Sequence, residues 1–379
     1  MDKRTFINDC LLLAGGCFCL PDSVLGLTQI PKKMITTNSP EKPALREARY
    51  YQPTPRGVKC LICPNECTLK DGELSDCRNR IAKGGKLYTM AYGDPCAIHI
   101  DPVEKKPLLH FLPSSVCFSL ATAGCNFGCL NCQNWEISQT SPSKTRNYDA
   151  MPEAVVASAI ESSCQSVAYT YSEPITFYEY MLDTSKLAHE KGLKNIMVSN
   201  GYINQEPLLE LCPFIDAANI DLKTFDNDVY LKLTGGKLEP ILETLKTLRD
   251  QGVWLEITNL IIPNWTDDLK TIKKMCQWLS DEGFNNYPLH FSRFHPQYKL
   301  TRLPSTPLQI LTQARDIAKE AGLNYVYIGN VPGINGEDTY CPNCNKLLVQ
   351  RRGFTVLQNH IEDGKCAFCK TPIAGVWEN

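Results

Sequence analysis

A chain of 379 residues with 43% hydrophobic and 21% charged residues is long and apolar enough for one large core with small appendages. Its formal net charge is −2 and no basic run stands out, which argues against a nucleic-acid backbone or an anionic membrane surface as partner. Nineteen cysteines would suit a disulfide-stapled secreted protein, but most fall into three compact groups with metal-ligand spacing, which points to metals in a reducing compartment.

In chain order, Met1-Asp2-Lys3-Arg4-Thr5-Phe6-Ile7 and Cys10-Leu11-Leu12-Leu13-Ala14-Gly15-Gly16-Cys17 combine a basic start, a short apolar run and small residues. This suits a secretory signal, a degenerate twin-arginine signal at Lys3-Arg4, or a loose lipoprotein box ending at Cys17. The run falls well short of the about twenty residues of a membrane span, so no span is expected. Residues 1–45 are read as a leader or signal-like segment, 46–110 as an N-terminal four-cysteine module and linker, 111–332 as the main α/β unit, and 333–379 as a C-terminal cysteine module.

Within the N-terminal module, Cys60, Cys63 and Cys67, with Cys77 ten residues on, form a four-thiol set. Four irregular thiols with no reaction partner read as a zinc staple, with a second iron–sulfur cluster as the alternative that the spacing leaves open. Next comes the block Glu104-Lys105-Lys106-Pro107-Leu108-Leu109-His110-Phe111, which reads either as a segment facing a substrate or partner or as an extended linker with solvated lysines.

From Val116 to Gly329, strand-like and helix-like segments alternate, the pattern of parallel βα units. Strands are expected over Val116–Ala121, Ser166–Tyr171, Asn195–Ser199, Asp216–Leu222, Trp254–Ile262, Leu289–Phe294 and Tyr325–Ile328. Amphipathic helices are expected over Met151–Ser163, Ile175–Lys191, Leu238–Gln251, Asp267–Glu282 and Pro307–Ala321. Six or seven repeats make a barrel-like sheet, and full closure usually needs eight, so a partial (β/α) barrel is predicted, with functional groups at the carboxyl-terminal ends of its strands.

Directly after the first of these strands lies the triplet Cys125, Cys129, Cys132, in CNFGCLNC. Three thiols are one too few for a closed metal site, so the loop is either the remnant of a zinc site with a distant fourth ligand or the cradle of a cluster with one open iron. Later strands end in Tyr169-Thr170-Tyr171-Ser172-Glu173-Pro174, Val198-Ser199-Asn200-Gly201-Tyr202 and Asn219-Ile220-Asp221-Leu222-Lys223. Helix capping by Glu173, ordinary turn chemistry and a solvated Asp221–Lys223 pair would also explain these residues. His290 and His295, at the sixth strand, are candidates to reach a ligand or else are satisfied core residues. Four solitary cysteines, Cys96, Cys164, Cys212 and Cys276, read as small core hydrophobes. Last, Cys341-Pro342-Asn343-Cys344 and Cys366-Ala367-Phe368-Cys369 are paired CxxC knuckles with zinc-ribbon spacing; a rubredoxin-like iron or a further cluster is the alternative.

The CxxxCxxC spacing resembles that of the radical S-adenosylmethionine (SAM) superfamily. That resemblance implies a radical SAM type partial barrel, a 4Fe-4S cluster on Cys125, Cys129 and Cys132, and SAM chelating the open iron. It also implies reductive cleavage to a 5′-deoxyadenosyl radical. Glu173 sits where the superfamily carries a Gly-Gly-Glu-Pro-like motif and would receive the SAM ammonium. Ser199 and Asn200 would face its carboxylate or ribose, Asp221 and Lys223 its amino-acid part, and His290 would be a further cofactor contact. Asn131 departs from the aromatic that many members carry before the third cysteine.

All three cysteine sets, the Glu104–Phe111 block and the tail Cys132-Gln133-Asn134-Trp135-Glu136-Ile137-Ser138 together resemble the radical SAM enzyme of the AmmeMemoRadiSam system, a pyruvate formate-lyase activating enzyme-related family. The resemblance covers about residues 55–379. It implies zinc in a flanking module, a low-potential electron donor of flavodoxin or ferredoxin type, and Memo-like and AMMECR-like proteins as associates. It brings no substrate. Hydrogen abstraction from an unidentified substrate is the expected reaction. A glycyl-radical enzyme activase acting on a partner protein and a non-catalytic iron–sulfur redox sensor are the alternatives. Because SAM and low-potential electrons are cytoplasmic supplies, the cytoplasm is the expected location, with export the alternative.

Overall fold

The computed structural model describes residues 45–378, so the leader expected over 1–45 lies almost wholly outside the described residues. At its centre is an eight-stranded sheet: β1 (Ala97–Pro102), β2 (Val116–Ala121), β3 (Ser166–Tyr169), β4 (Lys194–Ser199), β5 (Ala217–Asp221), β6 (Trp254–Ile261), β7 (Leu289–Arg293) and β8 (Val326–Gly329). Each strand pairs with its neighbours in sequence, leaving β1 and β8 as the two edges of an open sheet. Strands β2 to β8 run parallel, whereas β1 is antiparallel to β2. The parallel strands are apolar runs, β3 being buried at every position, because helices cover one face and filling segments the other.

Outer helices follow the strands: α1 (Pro152–Glu161), α2 (Tyr178–Glu190), α3 (Gln205–Leu211), α4 (Asn227–Thr234), α5 (Leu238–Asp250), α6 (Leu269–Asp281) and α7 (Leu308–Glu320). Local chemistry sets their ends. Asp226 accepts from the backbone N–H groups of Asp228 and Val229 to start α4, and Gly235, at φ 85°, stops it; Asp268 caps α6 likewise. No helix among the described residues is long and apolar enough to cross a membrane.

Three differences from the sequence expectations stand out. First, β1 lies in what read as linker. It is a short edge strand ending at Pro102, where a missing N–H costs no ladder bond. Second, the strand expected to reach Tyr171 stops at Tyr169, because Tyr171 adopts φ 64° and turns the chain at the rim. Third, the Glu104–Phe111 block is neither a solvated linker nor a substrate-facing surface. Leu108 and Phe111, with Val103 and Leu112, pack on Cys117, Ala168, Ile196 and Ala217 of the sheet interior, and Glu104, Lys106 and His110 are buried. Lys105 is the exception, remaining about half exposed. Asn219 donates to the Pro107 carbonyl and closes the segment onto the sheet. The block therefore plugs the amino-terminal floor of the barrel.

Two small β units flank the sheet. At the N-terminal side, Tyr51–Thr54, Gly57–Cys60 and Thr68–Leu69 form one three-stranded sheet, and Arg46–Glu47, Arg80–Lys83 and Lys86–Thr89 another. Arg80, itself buried, ties this unit to α2 through two 3.0 Å bonds to the Glu179 carboxylate. On the other side, Thr339–Tyr340, Leu347–Arg352 and Thr355–Asn359 form an antiparallel sheet, from which buried Arg351 donates to the Leu109 carbonyl. Cys164, Cys212 and Cys276 are buried and Cys96 half-buried, as core filling requires.

Candidate active site and metal centres

The loop after β2 carries Cys125, Cys129 and Cys132 over the carboxyl-terminal ends of the strands. Its backbone is held from several sides. Gly128 and Leu130 donate to the carbonyls of Thr234 and Leu233 at the end of α4, and Gly124 donates to Ile137. Asn126 donates to the Tyr202 carbonyl and accepts from Asn200 at 2.8 Å, so the ends of β2 and β4 are clasped side chain to side chain. Phe127 packs between Tyr202 and Tyr230. Burial, together with the nearby Glu173 carboxylate and the neighbouring thiols, pushes Cys125 well above its ordinary range. Burial also lifts Cys129, to about 11, although the Lys223 ammonium opposes the rise. Metal binding would displace these protons.

Glu173 follows β3 and is buried. Its carboxylate accepts from the Ser199 hydroxyl at 2.7 Å, the Asn200 N–H at 2.9 Å and the Ile175 N–H at 3.2 Å. The last bond caps the helical turn Pro174–Phe177, so the capping role seen in the sequence is real and coexists with the contacts to β4. Among the described residues, the hydrogen-bond partners of this carboxylate are neutral. Burial accordingly raises its pKa to about 7, against the pull of those donors. A buried carboxylate without a cation fits the arrival of a cationic amino group. The Asn131 side-chain oxygen, beside Cys132, is likewise buried without a partner.

Asp221 and Lys223 form a 2.9 Å ion pair at the end of β5, and Lys223 and Asp221 both act electrostatically on Cys129. Burial would lower Lys223, but Asp221 and the nearby thiol more than compensate and hold it charged. The structure therefore gathers Cys125, Cys129, Cys132, Glu173, Ser199, Asn200, Asp221 and Lys223 at one end of the barrel.

His290 is not among them. It occupies the second position of β7, toward the floor, where its Nε2 meets Glu256 at 2.6 Å and its ring stacks on Tyr327. Its fit is to the floor plug rather than to a rim ligand. His295 lies exposed beyond β7, with Ser305 at 3.2 Å.

The contacts that Tyr171 makes toward the barrel interior were not legible in the sequence. The Tyr171 carbonyl accepts from Asn134 at 2.6 Å, and its hydroxyl donates to Asp101, which also accepts from buried Lys106. The only linear signal was Tyr171 standing where glycine would suit a positive φ.

At the opposite flank, Cys341, Cys344, Cys366 and Cys369 hold their sulfurs within 4.8 Å of one another and could bind a metal ion. The cross pairs Cys341–Cys369 and Cys344–Cys366 stand 3.6 and 3.8 Å apart. Four sulfurs at bonds of about 2.3 Å around a tetrahedral ion lie about 3.8 Å from each other.

Comparison with known proteins bears on the family of the chain. The family model described as the radical SAM superfamily matches residues 119–279. An uncharacterized protein of Methanocaldococcus jannaschii is 47% identical over 328 residues, covering 86% of this chain and 98% of the relative. The pyruvate formate-lyase-activating enzyme of Staphylococcus epidermidis is 27% identical over 232 residues, 57% of this chain and 90% of the relative. For the pyruvate formate-lyase 1-activating enzyme of Escherichia coli K12 the figures are 24% over 164 residues, 42% and 67%.

Proposed function

This chain belongs to the radical SAM superfamily, and from that premise we propose that it binds SAM between the cysteine loop and Glu173 and abstracts hydrogen from a substrate still to be identified. Cys125, Cys129 and Cys132 would hold a 4Fe-4S cluster by three of its irons. The chemistry such a cluster would supply there is one-electron reductive cleavage of SAM to methionine and a 5′-deoxyadenosyl radical. Glu173 accepts the SAM amino group in a charge-assisted bond. Ser199 and the Asn200 N–H fix the orientation of that carboxylate, and the Asp221–Lys223 pair borders the amino-acid part.

The observation that carries this reading is Glu173, buried and bonded to neutral donors alone, beside a three-thiol loop. The test is anaerobic reconstitution with iron and sulfide, reduction with dithionite, and quantitation of 5′-deoxyadenosine from SAM. Its formation in the native protein and loss in Glu173→Ala is the expected result. Unchanged yield in the variant would overturn the role of Glu173.

The finer assignment, to the AmmeMemoRadiSam system with Memo-like and AMMECR-like associates, rests on the motif blocks alone. Copurification of tagged protein with these associates would test it. A second reading, activation of a glycyl-radical enzyme, is favoured by the named activity of the staphylococcal and E. coli relatives. It requires a glycyl radical, seen by electron paramagnetic resonance, in a partner protein after incubation. Zinc is the metal proposed for Cys341, Cys344, Cys366 and Cys369, since the sulfur spacing suits one tetrahedral ion. The electron donor proposed is a flavodoxin or ferredoxin.

A further inference from the structure

Cys60, Cys63 and Cys67 come from the hairpin Gly57–Leu69 and Cys77 from the connection before Arg80–Lys83, yet they line a single cavity, with Arg80 and Asn126 in its wall. They differ from the C-terminal set in spacing. Among the described residues, the C-terminal set is the group of three or more ligands whose donor atoms all lie within 4.8 Å of one another; the N-terminal set does not meet that condition. A single tetrahedral ion draws its sulfurs to about 3.8 Å. Thiolates that each bind a different iron of a cluster must stand further apart, with space between them for inorganic sulfide. The rim triplet, Cys125, Cys129 and Cys132, is likewise outside the close-packed class. Neither set is packed as tightly as the C-terminal knuckles.

Position strengthens the case. Asn65, between Cys63 and Cys67, donates to the Asn126 carbonyl at 2.9 Å, next to Cys125. Gly124, at φ 101°, packs so tightly on Cys77 that a Cβ there would lie 2.5 Å from the Cys77 carbonyl oxygen. The two cysteine loops thus share a wall. The buried Arg80 side chain lines the same cavity as the four thiols.

We infer that Cys60, Cys63, Cys67 and Cys77 hold a second iron–sulfur cluster, one whose irons are all protein-ligated. With no open iron it would not bind SAM, which leaves one-electron transfer as its chemistry. The sequence favours zinc for these residues, with a cluster as the alternative; the shared cavity and the looser packing of the sulfurs favour the cluster.

The experiment compares metal and acid-labile sulfide in the anaerobically reconstituted full chain with those in the triple variant C125A/C129A/C132A. The expected result is about eight irons and eight sulfides per chain falling to about four of each in the variant, with a reducible cluster spectrum retained. A variant that holds no sulfide and gains a zinc equivalent over the C-terminal ion overturns the inference. Native protein that cleaves SAM with only about four irons overturns it too, while leaving the proposed function intact. Conversely, a retained cluster in the triple variant with no SAM cleavage by the native protein supports the inference and counts against the function. Because the triple variant could fold poorly, C63S/C67S supplies the complement: loss of about half the iron supports the site, and unchanged iron and sulfide overturns it.

Discussion

Two buried glutamates occupy opposite ends of one barrel, and their difference separates function from scaffold. Glu256, on the floor side of β6, accepts from the Leu109 and His110 backbone N–H groups at 3.0 and 2.7 Å, from the Trp254 indole at 3.2 Å and from His290 at 2.6 Å. Burial alone would raise its pKa, but His290 and the other donors hold it below its ordinary value. Glu173, at the rim, has three donors and no cationic partner among them, and burial wins, to about 7. A carboxylate whose needs are met within the chain is structural. One left short of a positive charge is the one proposed to receive the SAM amino group.

Substitutions that attack each end should break this comparison differently. The largest effect is expected from Cys125, Cys129 and Cys132 to alanine: SAM cleavage falls to background, measured as 5′-deoxyadenosine, while metal at the C-terminal knuckles stays. Cys341→Ser with Cys344→Ser should remove about one metal ion per chain and lower the melting temperature. Folding of so small a module draws on metal binding, on the order of 10 kcal/mol in isolated zinc modules. The rim cluster's absorption should persist until the protein unfolds, and a normal melting curve would count against a structural metal.

At the floor, Glu256→Ala strands His290 and two backbone donors in the core, and should cost about 3–5 kcal/mol in denaturant unfolding. At the rim, Glu173→Gln should weaken SAM binding about 10- to 100-fold, the worth of a charge-assisted bond of about 1.5–3 kcal/mol, with little change in unfolding. Equal effects of both substitutions on stability and on SAM affinity would erase the distinction drawn here.

The smallest expected effect is on pH. The ionised form of Glu173 is the one that holds a cation, and it predominates only above about 7. SAM affinity should therefore fall as pH drops through about 7. Glu173→Gln should flatten that dependence, as followed by equilibrium binding to the reconstituted protein.

Much of the architecture was legible in linear order because its signals are local. Cys125, Cys129 and Cys132 lie within one loop, the CxxC knuckles within two turns, and the apolar runs of the parallel strands within single segments. The C-terminal four-sulfur spacing follows from the same short-range pattern. Even so, the antiparallel strand Ala97–Pro102 was missed, since an edge strand of alternating character beside a proline resembles a linker.

Tertiary structure alone decided what depends on partners far apart in sequence. His290 and Glu173 are equally ordinary residues in the chain. One lies 34 positions from Glu256 and satisfies it; the other lies 26 and 27 positions from the neutral groups that leave it short of a cation. Lys106 reads as a solvated lysine until Asp101 and the Tyr171 ring are found against it inside the barrel. Side-chain identity and short spacing are written in the sequence, and they specify which ligands and which elements are available. Burial and charge balance arise only when strands distant in the chain are brought side by side, and these set which carboxylate is scaffold and which is site.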